Sequence, residues 1–445
     1  MRGLRTFLGL LVILVALGAY LYFVESKRTP GDAGPAKEKV FTVESDKIEE
    51  ISITAESGEQ TTLRKTGTEW QMVAPVTARP DSAEVSGITT NLSTLEIQSV
   101  VDEKPADLKE YGLADPRIEV AFTTGGQRHT LQIGQKTPPG SDLYAKRADD
   151  PKVFLIPSYL DSTFNRKPFD LRDKAAIRVD RDKLDAMEVV TPKRTVRFTK
   201  ANNEWQMTSP TAGRADYSAV ESLTGRLAGL QMKSIAAAEG ADLKKFGLEK
   251  PVATVRIGTG SSQATLEIGG KAEEGSVYAR DASRPLVFTI DGTVLDDLQK
   301  DPFEYRQKDL FDARSFNSTR VEVVRAGQTH AFEKTKTKNK DGQEEEKWRQ
   351  VSPQARDADQ AKVESLLSSI TGAQAQALAP AAAKANLQKP ELTVAIRFDE
   401  GRKEDRVSFA RSGTSAYAVR AAEGTPVTVD AATIDGIVKA LEEIK

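Results

Sequence analysis

The sequence predicts an α+β fold: an N-terminal transmembrane helix followed by three tandem repeats, each an antiparallel β-rich sheet with one main packed helix. Three observations predict it. An uncharged apolar run fills residues 6–24; a set of short motifs returns at near-constant spacing through the rest; and in each repeat several alternating segments surround one segment of helical period.

The run at residues 6–24 follows Arg2 and Arg5 and ends in Tyr20, Leu21, Tyr22, Phe23 and Val24. At ~1.5 Å per residue a helix of that length just spans a hydrocarbon core of ~30 Å. A cleaved signal is the rival, since Ala16, Leu17 and Gly18 form a small-x-small site. The apolar run continues past it, however, whereas a removed segment stops at ~7–15 residues. Arg2 and Arg5 favour a cytoplasmic N-terminus, with the body outside the cytoplasm. The expected localisation is therefore the cell inner membrane, single-pass, with a periplasmic body. Residues 25–39, rich in Pro, Gly and charge, read as a flexible stalk.

The repeats are visible by eye. Trp70 and Pro75 return as Trp205 and Pro210, and again as Trp348 and Pro353. Leu108, Tyr111, Gly112 and Pro116 return as Leu243, Phe246, Gly247 and Pro251; the third repeat keeps Leu387 and Pro390 but has Asn386 for the glycine. Ile133 and Gly134 match Ile268 and Gly269; Tyr144 and Ala145 match Tyr278 and Ala279, then Tyr417 and Ala418. Pro168, Phe169 and Arg172 match Pro302, Phe303 and Arg306. Trp70 to Trp205 is 135 residues and Trp205 to Trp348 is 143, the excess falling in the charged stretch 334–347, where Asp341 and Gly342 signal a hairpin turn. The expected domains are 1–24, the anchor; 25–39, the stalk; and repeats at 40–175, 176–310 and 311–445.

Inside a repeat, residues 48–54, 60–65 and 69–73 read as strands. Val85, Ile88, Leu92 and Leu95 then form one helical stripe, matched by Val220, Leu223, Leu227 and Leu230 and by Val363, Leu366 and Ile370. Asp81, Asp216 and Asp359 stand at the helix starts, where a carboxylate accepts from unpaired backbone N–H groups. Strands follow near residues 117–123, 128–133, 143–146 and 152–156. The repeated Trp reads as core, and Gly112 and Gly247 as left-handed helix ends.

Composition narrows the function classes. With 63 basic and 65 acidic residues the net charge is −2, and no basic cluster suggests nucleic acid as a partner. The chain has no cysteine, which excludes disulfides, thiolate metal sites and a cysteine nucleophile. His129 and His330 are the only histidines, and His129 falls where the second repeat has Ala264. No His-Glu-x-x-His or Gly-x-Ser-x-Gly pattern occurs. Ile268 to Lys271 lacks the first glycine and the hydroxyl of a phosphate loop and reads as a turn; Gly258, Thr259 and Gly260 read as a hairpin loop. Asp357 and Asp359 start like a calcium loop without its glycine. No catalytic, cofactor-binding or metal residues are assigned, and no cofactor is expected. Glycosidase-like carboxylate pairs stay open, because spacing across a fold is invisible in a sequence.

The anchor, the Trp-x-x-x-x-Pro strand, the Tyr/Phe-Gly-Leu turn, the Ile-Gly-x-Lys segment and the Tyr-Ala-Lys/Arg strand together resemble a bacterial envelope family, the domain of unknown function 4340. The likeness covers about residues 40–310 well and 311–445 loosely. Members of that family look like auxiliary subunits of gliding-motility-type ABC transporters. The resemblance implies a membrane-anchored extracytoplasmic accessory protein of an ABC-type transport or envelope complex, with inner-membrane or envelope proteins as partners and no enzyme activity. The alternative is a cell-wall or polysaccharide-binding module, and an envelope hydrolase comes third.

Overall fold

The computed structural model describes residues 37–444 apart from 139, 239–240, 274 and 339–343. The first repeat carries β1 (Ile48–Thr54), β2 (Gln60–Thr66), β3 (Glu69–Ala74), the helix α1 (Ser82–Thr94) and β4 (Ser99–Asp102). It continues with β5 (Ile118–Thr124), β6 (Gln127–Lys136), β7 (Asp142–Arg147), β8 (Val153–Pro157) and the one-turn helix α2 (Leu160–Phe164). The sheet order is β3-β2-β1-β5-β6-β7-β8-β4, antiparallel throughout. Two meanders thus meet along β1 and β5, and the strand after the helix closes the far edge.

The second and third repeats run through the same order, each with a two-residue strand added at the first edge, which makes nine strands instead of eight. Ala74-Pro75, Ser209-Pro210 and Ser352-Pro353 are all cis. Backbone pairing repeats with equal fidelity: Val40, Ala176 and Leu310 donate to the carbonyls of Leu95, Leu230 and Ala373 just past the main helix.

The core of the first repeat lies between the sheet and α1. Ile51, Ile53, Leu63, Val120 and Leu131 are fully buried against Val85, Ile88 and Leu92; each such side chain contributes about 1.5–3 kcal/mol. Asp81 caps α1 by accepting from Ala83 and Glu84 N–H at 2.9 and 3.2 Å. Asp216 and Asp359 cap the equivalent helices, as their positions predict.

Two expectations need correction. The fold is predominantly antiparallel β, in three sheets with few helices, and not α+β. Each repeat gives eight or nine strands to its sheet and only 12 or 13 residues to the main helix, which covers part of one face. Nor does one main helix describe the third repeat, whose C-terminal helix Ala431–Glu443 buries Ile434, Ile437 and Leu441 in the same cluster as Val363, Leu366 and Ile370. The transmembrane helix expected over residues 6–24 lies outside the described residues, and among the described residues no helix is long and apolar enough to cross a membrane.

The chain divides into two compact units between Lys174 and Ala175. The first contains one sheet; the second contains the other two.

Candidate functional site

Three of the repeated motifs converge on one structural joint. Lys109–Tyr111 form a single 3-10 turn ended by Gly112 at φ 65°, a left-handed conformation that favours glycine. This turn docks on Gly134 in β6, where a Cβ would lie 2.1 Å from the Tyr111 carbonyl oxygen. The Tyr111 ring packs on Tyr144 of β7, centroids 5.2 Å apart. The second repeat rebuilds the joint with Gly247, Gly269 and a Phe246–Tyr278 pair at 5.0 Å. Gly269 and Gly270 lie in the strand Ser262–Lys271, at a register shift, and not in the turn their sequence suggests. Gly258 to Gly260 does form the expected hairpin, with Thr259 opposite Ser262.

The repeated tryptophans belong to the core. Trp205 and Trp348 are 2% exposed, while Trp70 is half-buried and packs on the core from its edge. Trp205 Nε1 donates to Glu221 Oε1 at 2.8 Å, and Lys200 reaches the same oxygen at 2.7 Å. The Lys200 hydrogen bond leads in holding the Glu221 carboxyl below its usual range; burial opposes it and the Trp205 N–H adds to it.

His129 lies against Phe41 and Phe122, centroids 5.9 and 5.2 Å away, and His330 is buried opposite Val323. The described residues contain no group of three or more His, Asp or Glu placed to hold a metal. Burial pushes the Lys146 ammonium down, yet it donates to Arg147 O at 2.8 Å and Gln132 Oε1 at 3.3 Å. Burial, with the Asp297 charge, pushes Tyr305 up to about 12, so its hydroxyl stays protonated and donates to Asp297 O at 2.9 Å.

The most elaborate polar cluster lies where the third repeat meets the second. Arg306, 3% exposed, donates to the carbonyls of Thr211 and Ala212 at 3.3 and 3.2 Å and to Glu423 Oε2 at 2.7 Å. Arg214 takes the other Glu423 oxygen at 2.8 Å and the Asp309 carbonyl at 2.6 Å, and it pairs with Asp312. Asp312 also binds Arg420 at 2.5 Å; Arg420 pairs in turn with buried Asp405, which accepts from the N–H groups of Asp312 and Ala313 at 2.6 and 3.0 Å. Burial opposes the Arg420 charge, and the Asp405 hydrogen bond with the charges of Asp405, Asp312 and Glu423 outweighs it, so its pKa is raised. Gly213 makes room for the cluster: a Cβ there would stand 1.9 Å from Arg306 Nη2.

Three guanidinium groups thus face three carboxylates. Every carboxylate is held by arginine, which does not exchange its proton near neutral pH, so the guanidinium side of each pair stays charged. The cluster fixes one repeat on another. Two clefts flank it. One, of about 320 Å³, is lined by Gln206, Tyr217, Gln307 and Lys403; the other, of about 260 Å³, by Thr211, Leu378, Lys384 and Pro426. In the sequence Arg172 and Arg306 stand only as the end of a repeated motif. Glu423 lies in a turn whose equivalents are Asp150 and Arg284, so no repeated carboxylate marked it.

Comparison with solved structures returns DNA polymerase sliding clamps of Pseudomonas aeruginosa. One, with a ligand, is 8% identical with a TM-score of 0.17, over 88% of this chain and 93% of that one. The DNA polymerase III subunit beta of the same organism is 10% identical with a TM-score of 0.15, over 88% and 94%. Similarity of that size carries no argument about fold or function. A search of curated proteins finds no match. The family model described as a domain of unknown function (DUF4340) matches twice, over residues 70–204 and 205–390. Each match begins at a repeated Trp, so it starts inside one sheet and runs on into the next repeat. These matches cover most of the chain, and the protein belongs to the DUF4340 family.

Proposed function

We propose that this protein is a membrane-attached extracytoplasmic adaptor of an ABC-type transport or envelope complex, acting by protein–protein contact and not by catalysis. The observation that carries the reading is the use of the repeated residues: the Gly112–Gly134 joint, the buried Trp205 and the Arg306–Glu423 pair are all engaged in building and linking the repeats. Such a body offers its partners surface. The apolar run at residues 6–24 supports membrane attachment, and the resemblance to auxiliary subunits of gliding-motility-type transporters supports the class of partner.

The polysaccharide-binding reading needs exposed aromatic faces for sugar rings. With Trp205 and Trp348 buried, the reading rests on the exposed rings of Phe316, Tyr159 and Tyr217, of which Tyr217 lines the larger cleft with Lys200 over it at 5.4 Å. Affinity purification of the full chain from detergent-solubilised membranes tests the adaptor. Enrichment of inner-membrane transporter subunits is expected; retention on cell-wall polysaccharide with no protein partner would favour the other reading.

A further inference from the structure

The contact between the second and third repeats is head-to-tail, so the face that the third repeat offers backward has a counterpart on the first. On the third repeat this face is the turn from Arg420 to Glu423, beside the edge-strand residue Leu378. Strand pairing places Arg147 at the position of Arg420, Asp150 at that of Glu423 and Val100 at that of Leu378. Arg147 and Asp150 form the same ion pair within the turn, at 3.2 Å. In the third repeat the carboxylate is covered by two guanidinium groups from the second. In the first repeat Asp150 keeps an exposed flank, Asp149 beside it is 72% exposed, and Val100 and Val101 are 39% and 41% exposed.

We propose that this face of the first repeat is a docking surface for a different protein that presents arginine beside an apolar strand or loop. Asp149 and Asp150 take the guanidinium as Glu423 takes Arg306, and Val100 and Val101 take the apolar part. The second repeat carries Arg284 where the first has Asp150, and that guanidinium donates to the carbonyls of Ala175 and Ala176 at 2.9 and 2.5 Å. The charge reversal excludes an arginine-bearing partner from the second repeat. Another molecule of this same chain is a poor occupant. Arg214 and Arg306 are already engaged, and the third repeat has Asp357 at the position of Arg214.

The inference rests on the adaptor reading, and the test separates the two. A photo-crosslinking residue replaces Val100 in the full chain, expressed in its own membranes. The expected product is a crosslink to one other protein, at a segment that carries arginine. Its yield falls about tenfold or more with Asp150→Arg, because like charges repel across the interface. It also falls with Asp150→Asn, which retains an acceptor for the Lys152 N–H. Asp46→Arg, in a different turn, leaves it unchanged. A crosslink to residues 1–36, to a second molecule of this chain, to a segment without arginine, or to nothing overturns the proposal. So does a yield indifferent to Asp150. A partner that still co-purifies in any of these cases leaves the adaptor reading standing.

Discussion

Gly134 sits beneath the carbonyl of Tyr111, with a Cβ position 2.1 Å from that oxygen, and Gly269 stands in the same relation to Phe246 at 2.2 Å. The third repeat has lost both halves of this joint. Asn386 replaces the turn glycine, Ala410 stands where Gly134 would, and a short α-helix, Ala383–Leu387, replaces the 3-10 turn. Loss of the two motifs together is what mutual packing requires.

Gly134→Ala is therefore expected to destabilise the first unit by about 1–3 kcal/mol, the range for forcing atoms into a packed site. Ala410→Gly in the third repeat should cost only about 0.5–1 kcal/mol, from backbone entropy. Urea unfolding of both variants checks the asymmetry; equal costs would remove the joint as the reason for the glycines.

Trp205→Ala is expected to cost about 3–5 kcal/mol, the range for truncating a buried aromatic. Trp70→Ala should cost clearly less, since Trp70 is half-buried. Thermal unfolding distinguishes them, and an unchanged transition for Trp205→Ala would move that residue from core to contact surface.

Removing one partner from a buried ion pair costs about 3–5 kcal/mol, because the other charge stays desolvated. Glu423→Gln leaves Arg306 in that position, so it should destabilise the second unit and uncouple the unfolding of its two repeats. Lys308→Gln, next to the junction but in a more exposed pair with Glu304, should have little effect. Differential scanning calorimetry of the full chain reads both, with a split second-unit transition expected for Glu423→Gln alone.

The Glu221 carboxyl is held below its usual range by Lys200 and Trp205. Its contribution to stability is present above the unfolded carboxyl value of ~4.3 and is lost as the pH falls through the lower folded value. Glu221→Gln should therefore lower the stability of the second unit at pH 7, and the difference from wild type should shrink toward pH 3. Unfolding midpoints across that pH range test it; a difference that grows toward acid would contradict the sign.

Much of this was legible in the chain because repetition acts as an internal control. The motif offsets located the sheets, the stripe from Val85 to Leu92 located the helix, and Asp81, Asp216 and Asp359 located its caps. The α+β expectation fails because a single amphipathic helix per repeat gives a strong periodic signal while occupying few residues. Helix Ala431–Glu443 went unread because it has no counterpart of similar length in the other repeats. The ionic junction was invisible for a different reason. Glu423 and Arg214 are 209 residues apart, and a repeat reveals what copies share, not the one residue that differs where they meet.

Native mass spectrometry of the full chain extracted in detergent tests the adaptor most directly. The expected species has this chain and inner-membrane transporter or envelope subunits in a fixed ratio, and it persists through dilution. A spectrum holding only the single chain, or only multiples of it, from membranes in which candidate partners are abundant, would contradict the proposal.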